Sequence, residues 1–190
     1  MIERNKAREL IDKYIQTDWL KLHMRESEVI MRALAKRLGK DEDLWGITGL
    51  LHDIDFDFVN KDPHKHGVEF ENILKKENIK LPEEAIHAIR AHNEDSKLIN
   101  DKRETDLDYA LSACENLSGF LVACALVMPD KKIKSLKVES VIKKLKKKKD
   151  FARAVRRDLI SDIEKIGISL EELVEIALDA VCDISEEIGL

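Results

Sequence analysis

Apolar residues recur along this chain at spacings of three and four, and nearly every segment carries that helical period. The first periodic stretch runs from about Glu3 to Gln16. A second starts after Thr17 or Asp18 and stops at Gly39, a residue suited to the position just past a helix end. A third begins at the cap Asp41, turns Leu44, Ile47, Leu50 and Leu51 inward, and ends near His52-Asp53. Asp62-Pro63 is a cap followed by proline in the first helical position, which predicts a fourth helix over 63–77. Pro82 opens a fifth, to about Asn93. The stretch EDSKLINDKRET, residues 94–105, is the longest polar loop and a candidate lid or rim. A long apolar sixth helix covers about 106–128 and is stopped by Pro129.

The remainder changes character. From Lys131 to Arg157 there are thirteen Lys or Arg against two acids. Within SLKVESVIKKLKKKK, however, Val138, Val141, Ile142 and Leu145 form an apolar stripe, so the lysines fill the solvent faces of an amphipathic helix. The competing reading is a basic rim that steers an anionic substrate. Ser169-Leu-Glu-Glu is a capping box that opens a last, acidic helix. No internal repeat or low-complexity linker separates the parts. The expectation is an all-α chain folded as one domain over 1–190, with a core over 19–128 and a helical extension over 129–190 packed on it.

Composition narrows the class. Hydrophobic content of 44% is enough for a core, while seven Gly, three Pro and nine aromatics argue against a long-stranded β-protein. A net charge of −5 does not suit a general nucleic-acid binder. Cys114, Cys124 and Cys182 lack CxxC spacing and fall in apolar helical patterns, as buried free thiols do in a reducing compartment. The opening MIERNKARELIDKYI is charged throughout and has no signal-peptide core. The longest apolar run, Leu117 to Met128, is too short to span a bilayer. A soluble, cytoplasmic protein with no membrane partner is expected.

Helical geometry sorts the six histidines. His23 shares a face with Trp19 and Ile30, His66 with Phe70, Ile73 and Leu74, and His92 with Ala85 and Ile89. His52 closes the apolar third helix. His64 lines up with Glu71 and Lys75, and His87 with Glu83 and Arg90, so both face solvent. One inward histidine is ordinarily a satisfied core residue. Four on four different helices, beside Asp53, are costly to bury, because each imidazole needs partners for two ring nitrogens. A metal ion supplies one partner to every ring at once. Glu115 adds a carboxylate in the middle of the most apolar helix, between Leu111 and the small pair Ser118-Gly119. Burial would drive it neutral unless a cation faced it.

The ordered set His23, His52-Asp53, His66-Gly67, His92 and a late acid resembles the HD superfamily of metal-dependent phosphohydrolases, over roughly residues 19–128. Over nearly the whole chain, the segments RALAKRLGKDEDLWGITGLLHDIDFD, AIRAHNE, SGFLVACALVMP and VIKKLKKKKDFA resemble a group of uncharacterised predicted HD-type hydrolases. The resemblance implies an all-helical cluster with the site at its centre. It implies that His23, His52, Asp53 and Glu115 hold one metal, and that Asp53 bridges to a second held by His66 and His92. HD diadenosine-tetraphosphate hydrolases are similar in the histidine before Gly67 and in the histidine ending the fifth helix. Two departures stand out. The late acid is usually aspartate, whereas Glu115 reaches one methylene further; Asp108, two turns earlier on the same face, is the reserve. Some HD nucleotidases also carry an acid three residues after the HD pair, where this chain has Phe56. Asp55 or Asp57 would then serve beside Asp53 as the water-orienting or general acid/base group, unless both are solvated loop acids.

Imidazole and carboxylate ligands without thiolate suit one or two divalent ions per chain from Mn, Fe, Zn, Co or Ni. Such ions activate water and neutralise phosphoryl oxygens, so the implied reaction is hydrolysis of a phosphate ester or anhydride of a small nucleotide-like substrate. No Gly-rich phosphate loop is present, which leaves Lys65, Arg90, Lys143 and Lys144 as candidate phosphate-binding side chains. No GxSxG elbow appears, and the cysteines lie in surroundings that suppress thiolates. Two other readings stay open. One is a non-catalytic, metal-dependent nucleotide sensor with a degraded site. The other is a nucleic-acid binder working through 131–157, whose binding would be strongly salt-dependent.

Overall fold

The computed structural model describes residues 2–94, 96 and 98–190. Asp95 and Lys97 of the polar loop, and Met1, lie outside the described residues. The fold is all-α: helices α1 (Arg4–Tyr14), α2 (Asp18–Leu38), α3 (Glu42–Leu51), α4 (Phe70–Lys76), α5 (Glu83–His92), α6 (Asp106–Leu126), α7 (Val138–Lys147), α8 (Arg157–Ser161), α9 (Leu170–Asp183) and α10 (Ser185–Ile188), with short 3₁₀ turns at Ile133–Ser135 and Asp162–Ile166. No strand occurs among the described residues.

Helices α2 and α6 are the central pair. α2 packs against α3, α6 and α9, and α6 also meets α5 and α8. The α2–α3 contact is close because Gly49 has no side chain: a Cβ there would stand 2.8 Å from the Ser27 carbonyl oxygen of α2. That approach sets His23 beside His52. Apolar residues of the tail, among them Ile133, Val141, Leu145, Leu173 and Ile188, join the same hydrophobic core as Leu20, Leu50 and Phe120. α6 has the length and hydropathy of a membrane span, a property of the whole helix that the shorter apolar run at its end conceals. It is a largely buried core helix. In α7 Val141 and Leu145 are buried while Lys143, Lys146 and Lys147 are exposed, as an amphipathic helix requires.

An ion-pair network ties the chain's two ends to α2. Glu28 is fully buried and meets Arg4 of α1, Arg25 and Arg32, the last at 3.3 Å. Arg25 continues to Glu187 of α10 at 2.6 Å, and Arg32 to Asp43 at 2.7 Å.

Several helix starts differ from the sequence expectation. The fourth helix begins only at Phe70, because residues 62–66 form one turn on Asp62 and Gly67 then adopts φ +85°. Thr17 precedes α2, but its hydroxyl goes to Asp57 instead of capping its own helix. At α9 the Ser169 hydroxyl accepts from the Glu172 N–H at 3.1 Å, while the Glu172 carboxylate pairs with Arg37 at 2.6 Å. The reciprocal capping box is found at α6, where Thr105 and Asp108 cap each other.

Candidate metal centre

The site grows from helix ends. His52 follows the last residue of α3 and His92 is the last residue of α5, where carbonyls lack partners further along the helix. The Nδ1–H of His52 donates to the Gly49 carbonyl at 2.8 Å, and that of His92 to the Ile89 carbonyl. His23, inside α2, is oriented from α6. Ser118 Oγ donates to the Glu115 carbonyl at 3.0 Å and accepts from His23 Nδ1 at 2.9 Å. His66 stands in the turn before Gly67 and donates from Nδ1 to Asp55 at 2.8 Å. All four rings thus spend Nδ1 on a backbone or side-chain oxygen and turn Nε2 to the centre, as metal-bound histidines do.

Asp53 lies between them. Its Oδ2 is 3.4 Å from His52 Nε2 and 3.7 Å from His23 Nε2. Its Oδ1 is 2.9 Å from His66 Nε2 and 3.6 Å from His92 Nε2. Within each pair the nitrogens are close: 3.2 Å for His23 and His52, 2.9 Å for His66 and His92. Two ligand groups result, His23–His52–Glu115 and Asp53–His66–His92, each with its donor atoms within 4.8 Å of one another. Both could hold a metal ion.

Burial pushes the His52 imidazole down to about 3 and lowers His23, which favours the uncharged ring with its single proton on Nδ1. Burial also opposes charge on His66, but Asp53 and Asp55 on its two sides outweigh it and raise it to about 10. Asp53 pays the same burial penalty, yet the surrounding imidazoles hold it well below the carboxylate range. Glu115 is pushed up to about 8, by burial first and then by the Asp53 charge. In the protein alone a proton on His66 offsets Asp53 and burial favours a protonated Glu115, while the Nε2 lone pairs of His23 and His52 converge on that carboxyl.

A family model described as HD domain matches residues 22–118, just over half of the chain. The chain belongs to the HD domain family. The match spans all six residues of the two ligand groups and leaves α7 to α10 outside. No curated protein and no solved structure matches the chain.

In this HD domain the other acids singled out in the sequence have structural partners. Asp55 is fully buried; beyond His66 it accepts from the N–H groups of Gly67, Glu69 and Phe70 at 3.0–3.2 Å, which caps α4 from outside. Asp57 accepts from the N–H groups of Gln16 and Thr17 at 2.7 and 2.9 Å and from the Thr17 hydroxyl, and so closes the start of α2. Neither is a solvated loop acid. Asp108 is buried and spent on the N–H groups of Glu104 and Thr105 and on His87 at 3.1 Å. His87 is therefore partly buried against α6, where its polar stripe predicted solvent.

A cleft of about 250 Å³ opens over the second ligand group, lined by Asp53, Phe56, His66 and His92 on one side and by Glu115, Asn116 and Arg156 on the other. Phe56 meets His66 edge to face at 5.0 Å. Lys65, Arg90, Lys143 and Lys144 do not line this cleft. Arg90 pairs with Glu71, Lys65 lies 3.8 Å from Asp62, Lys144 sits over the Phe151 ring, and Lys143 is exposed on α7. The cation at the cleft is Arg156, whose backbone N–H donates to Asn116 at 3.0 Å and whose guanidinium meets Asp158 at 2.7 Å. Sequence reading passed over Arg156, Asn116 and Ser118. Ser118 had a signal, as a hydroxyl one turn after Glu115 in an apolar helix. Arg156 had none, because only folding carries it from the basic tail to the α6 face.

Proposed function

We propose that this chain hydrolyses a phosphate ester or anhydride of a small, nucleotide-like substrate with the help of one or two divalent metal ions. The observation that carries this reading is the position of Asp53, one oxygen toward His23 and His52 and the other toward His66 and His92. The donor chemistry fits a borderline divalent ion such as Mn, Fe, Zn, Co or Ni: four imidazole nitrogens, a carboxylate between them and Glu115, with no thiolate, the ion taking the place of the His66 proton. Such an ion, when bound, lowers the pKa of water and offsets charge on phosphoryl oxygens. The chain's own residues do the rest. Gly49, Ile89, Ser118 and Asp55 hold the four rings in one tautomer, so no reorganisation is needed at the site. Phe56 covers the His66 ring and limits access from that side. Arg156 lines the cleft with its fork on Asp158, and exchanging that carboxylate for phosphate oxygens makes it the side chain to grip a substrate phosphate. In this reading Asp53 is the one catalytic acid among the three considered, while Asp55 and Asp57 position the chain.

The sensor reading has one feature in its favour: Phe56, an apolar ring where some family members place an acid. One experiment separates the two. Metal content per chain is measured after anaerobic purification and reconstitution with Mn or Fe, and phosphate release is followed over a panel of nucleotides, for wild type and Asp53→Asn. Metal together with phosphate release, both lost in Asp53→Asn, supports the hydrolase. Metal and nucleotide binding without release supports the sensor. No metal at all overturns both.

A further inference from the structure

A second cavity of about 410 Å³, lined by His23 and sharing no residue with the cleft over Asp53, opens between α2, α6 and residues 188–190. Its wall is apolar, made by Trp19, Leu22, Val122, Leu126 and Ile188. Trp19 and Leu126 are 58% and 52% exposed, so two large apolar side chains stand unpacked at its mouth. Gly119 leaves the wall open on α6: a Cβ there would meet nothing within 4 Å. The volume falls in the range of small-molecule sites.

The cavity also holds Glu26, one turn along α2 from His23. Glu26 is only 3% exposed and has no hydrogen-bond or ion-pair partner among the described residues. Burial alone pushes it up to about 8. The imidazole on the wall cannot serve it, since His23 gives Nδ1 to Ser118 and turns Nε2 to the metal centre. Its oxygens are not sealed in the core but open on the cavity, so the group that pairs them has to come from there.

We propose that this cavity binds an organic ammonium ion, its apolar body against Leu22, Val122 and Leu126 and its charged head on Glu26. A cation supplies the counter-charge that the protein lacks there. An anionic ligand would keep that carboxyl protonated and gain no ion pair, and a purely apolar one would leave it without a partner. The site lies beside His23, outside the phosphate cleft, and takes the opposite ligand charge, so it stands or falls independently of the hydrolase reading.

The test uses n-octylammonium chloride on the full chain, with octanoate as the like-sized anion. Trp45 is buried, so a change in tryptophan emission reports on Trp19. The expected result is saturable binding of one octylammonium and none of octanoate. Glu26→Gln weakens it by about tenfold or more, the worth of a charge-assisted hydrogen bond. Gly119→Leu fills the cavity from a helical position that favours leucine over glycine, and abolishes binding while the far-UV spectrum stays unchanged. Equal binding of octanoate, unchanged affinity in Glu26→Gln, or no saturable binding of octylammonium would each overturn the proposal.

Discussion

Asp55 and His66 stand 2.8 Å apart, and that contact joins the site to the fold. One oxygen of Asp55 fixes the His66 ring, and the other collects three backbone N–H groups at the start of α4. The same carboxylate therefore caps a helix and sets the tautomer of a candidate ligand. In Asp55→Asn the amide places N–H against N–H, so we expect a loss of about 2–3 kcal/mol in urea unfolding, together with reduced metal content in the His66 group. Full stability in this variant would mean that the loop is held by other contacts.

Glu115 and Asp108 lie two turns apart on α6 and should separate cleanly. Glu115→Gln should lose the metal of the His23 group with little change in thermal stability. Asp108→Asn should cost about 1 kcal/mol through the α6 cap and keep its metal. Metal analysis beside a melting curve checks both, and the reverse pattern would move the ligand to Asp108.

Glu28 bears on stability alone. It is a buried acid shared by three arginines, of which Arg25 keeps Glu187 and Arg32 keeps Asp43 when Glu28→Gln removes the charge. A loss of about 1.5–3 kcal/mol in denaturant unfolding is expected, the worth of hydrogen bonds to a charged group. A loss below about 1 kcal/mol would place these pairs with ordinary surface bridges.

Glu26 gives a pH dependence with a definite sign. Its carboxyl is raised from 4.5 to about 8 in the folded state. Between these values the folded protein holds a proton that the unfolded chain has lost, so stability contributed by this group falls as pH rises. The slope approaches about 1.4 kcal/mol per pH unit. Glu26→Gln removes it. The variant should match wild type near pH 4.5 and exceed it increasingly toward pH 8 in urea unfolding. Parallel curves would show that Glu26 has a counter-charge.

For Arg156→Ala we expect a raised KM for any phosphorylated substrate, metal content unchanged, and no such effect in Lys143→Ala. An equal effect of both would return the phosphate contact to the lysine stretch.

The sequence by itself determined the all-α class, most helix ends and the four histidines of the site, though not the partly buried His87, because helical period and capping are local properties of the chain. It also determined the family, since the order of His23, His52-Asp53, His66 and His92 survives in one dimension. His66 was found for a reason the structure does not keep: it lies in a turn before α4 and points inward because Asp55 holds it, not because of a helical stripe. Tertiary structure decided the rest. Asp55, Asp57 and Asp108 look alike in sequence, all short acids near a helix end, and only the N–H groups brought against them show that each caps a segment. Arg156 reaches the cleft because the tail folds back onto α6, and Glu26 lacks a partner because α6 and the end of the chain close around it. Both follow from contacts between residues far apart in the chain, which hydrophobic patterning does not encode.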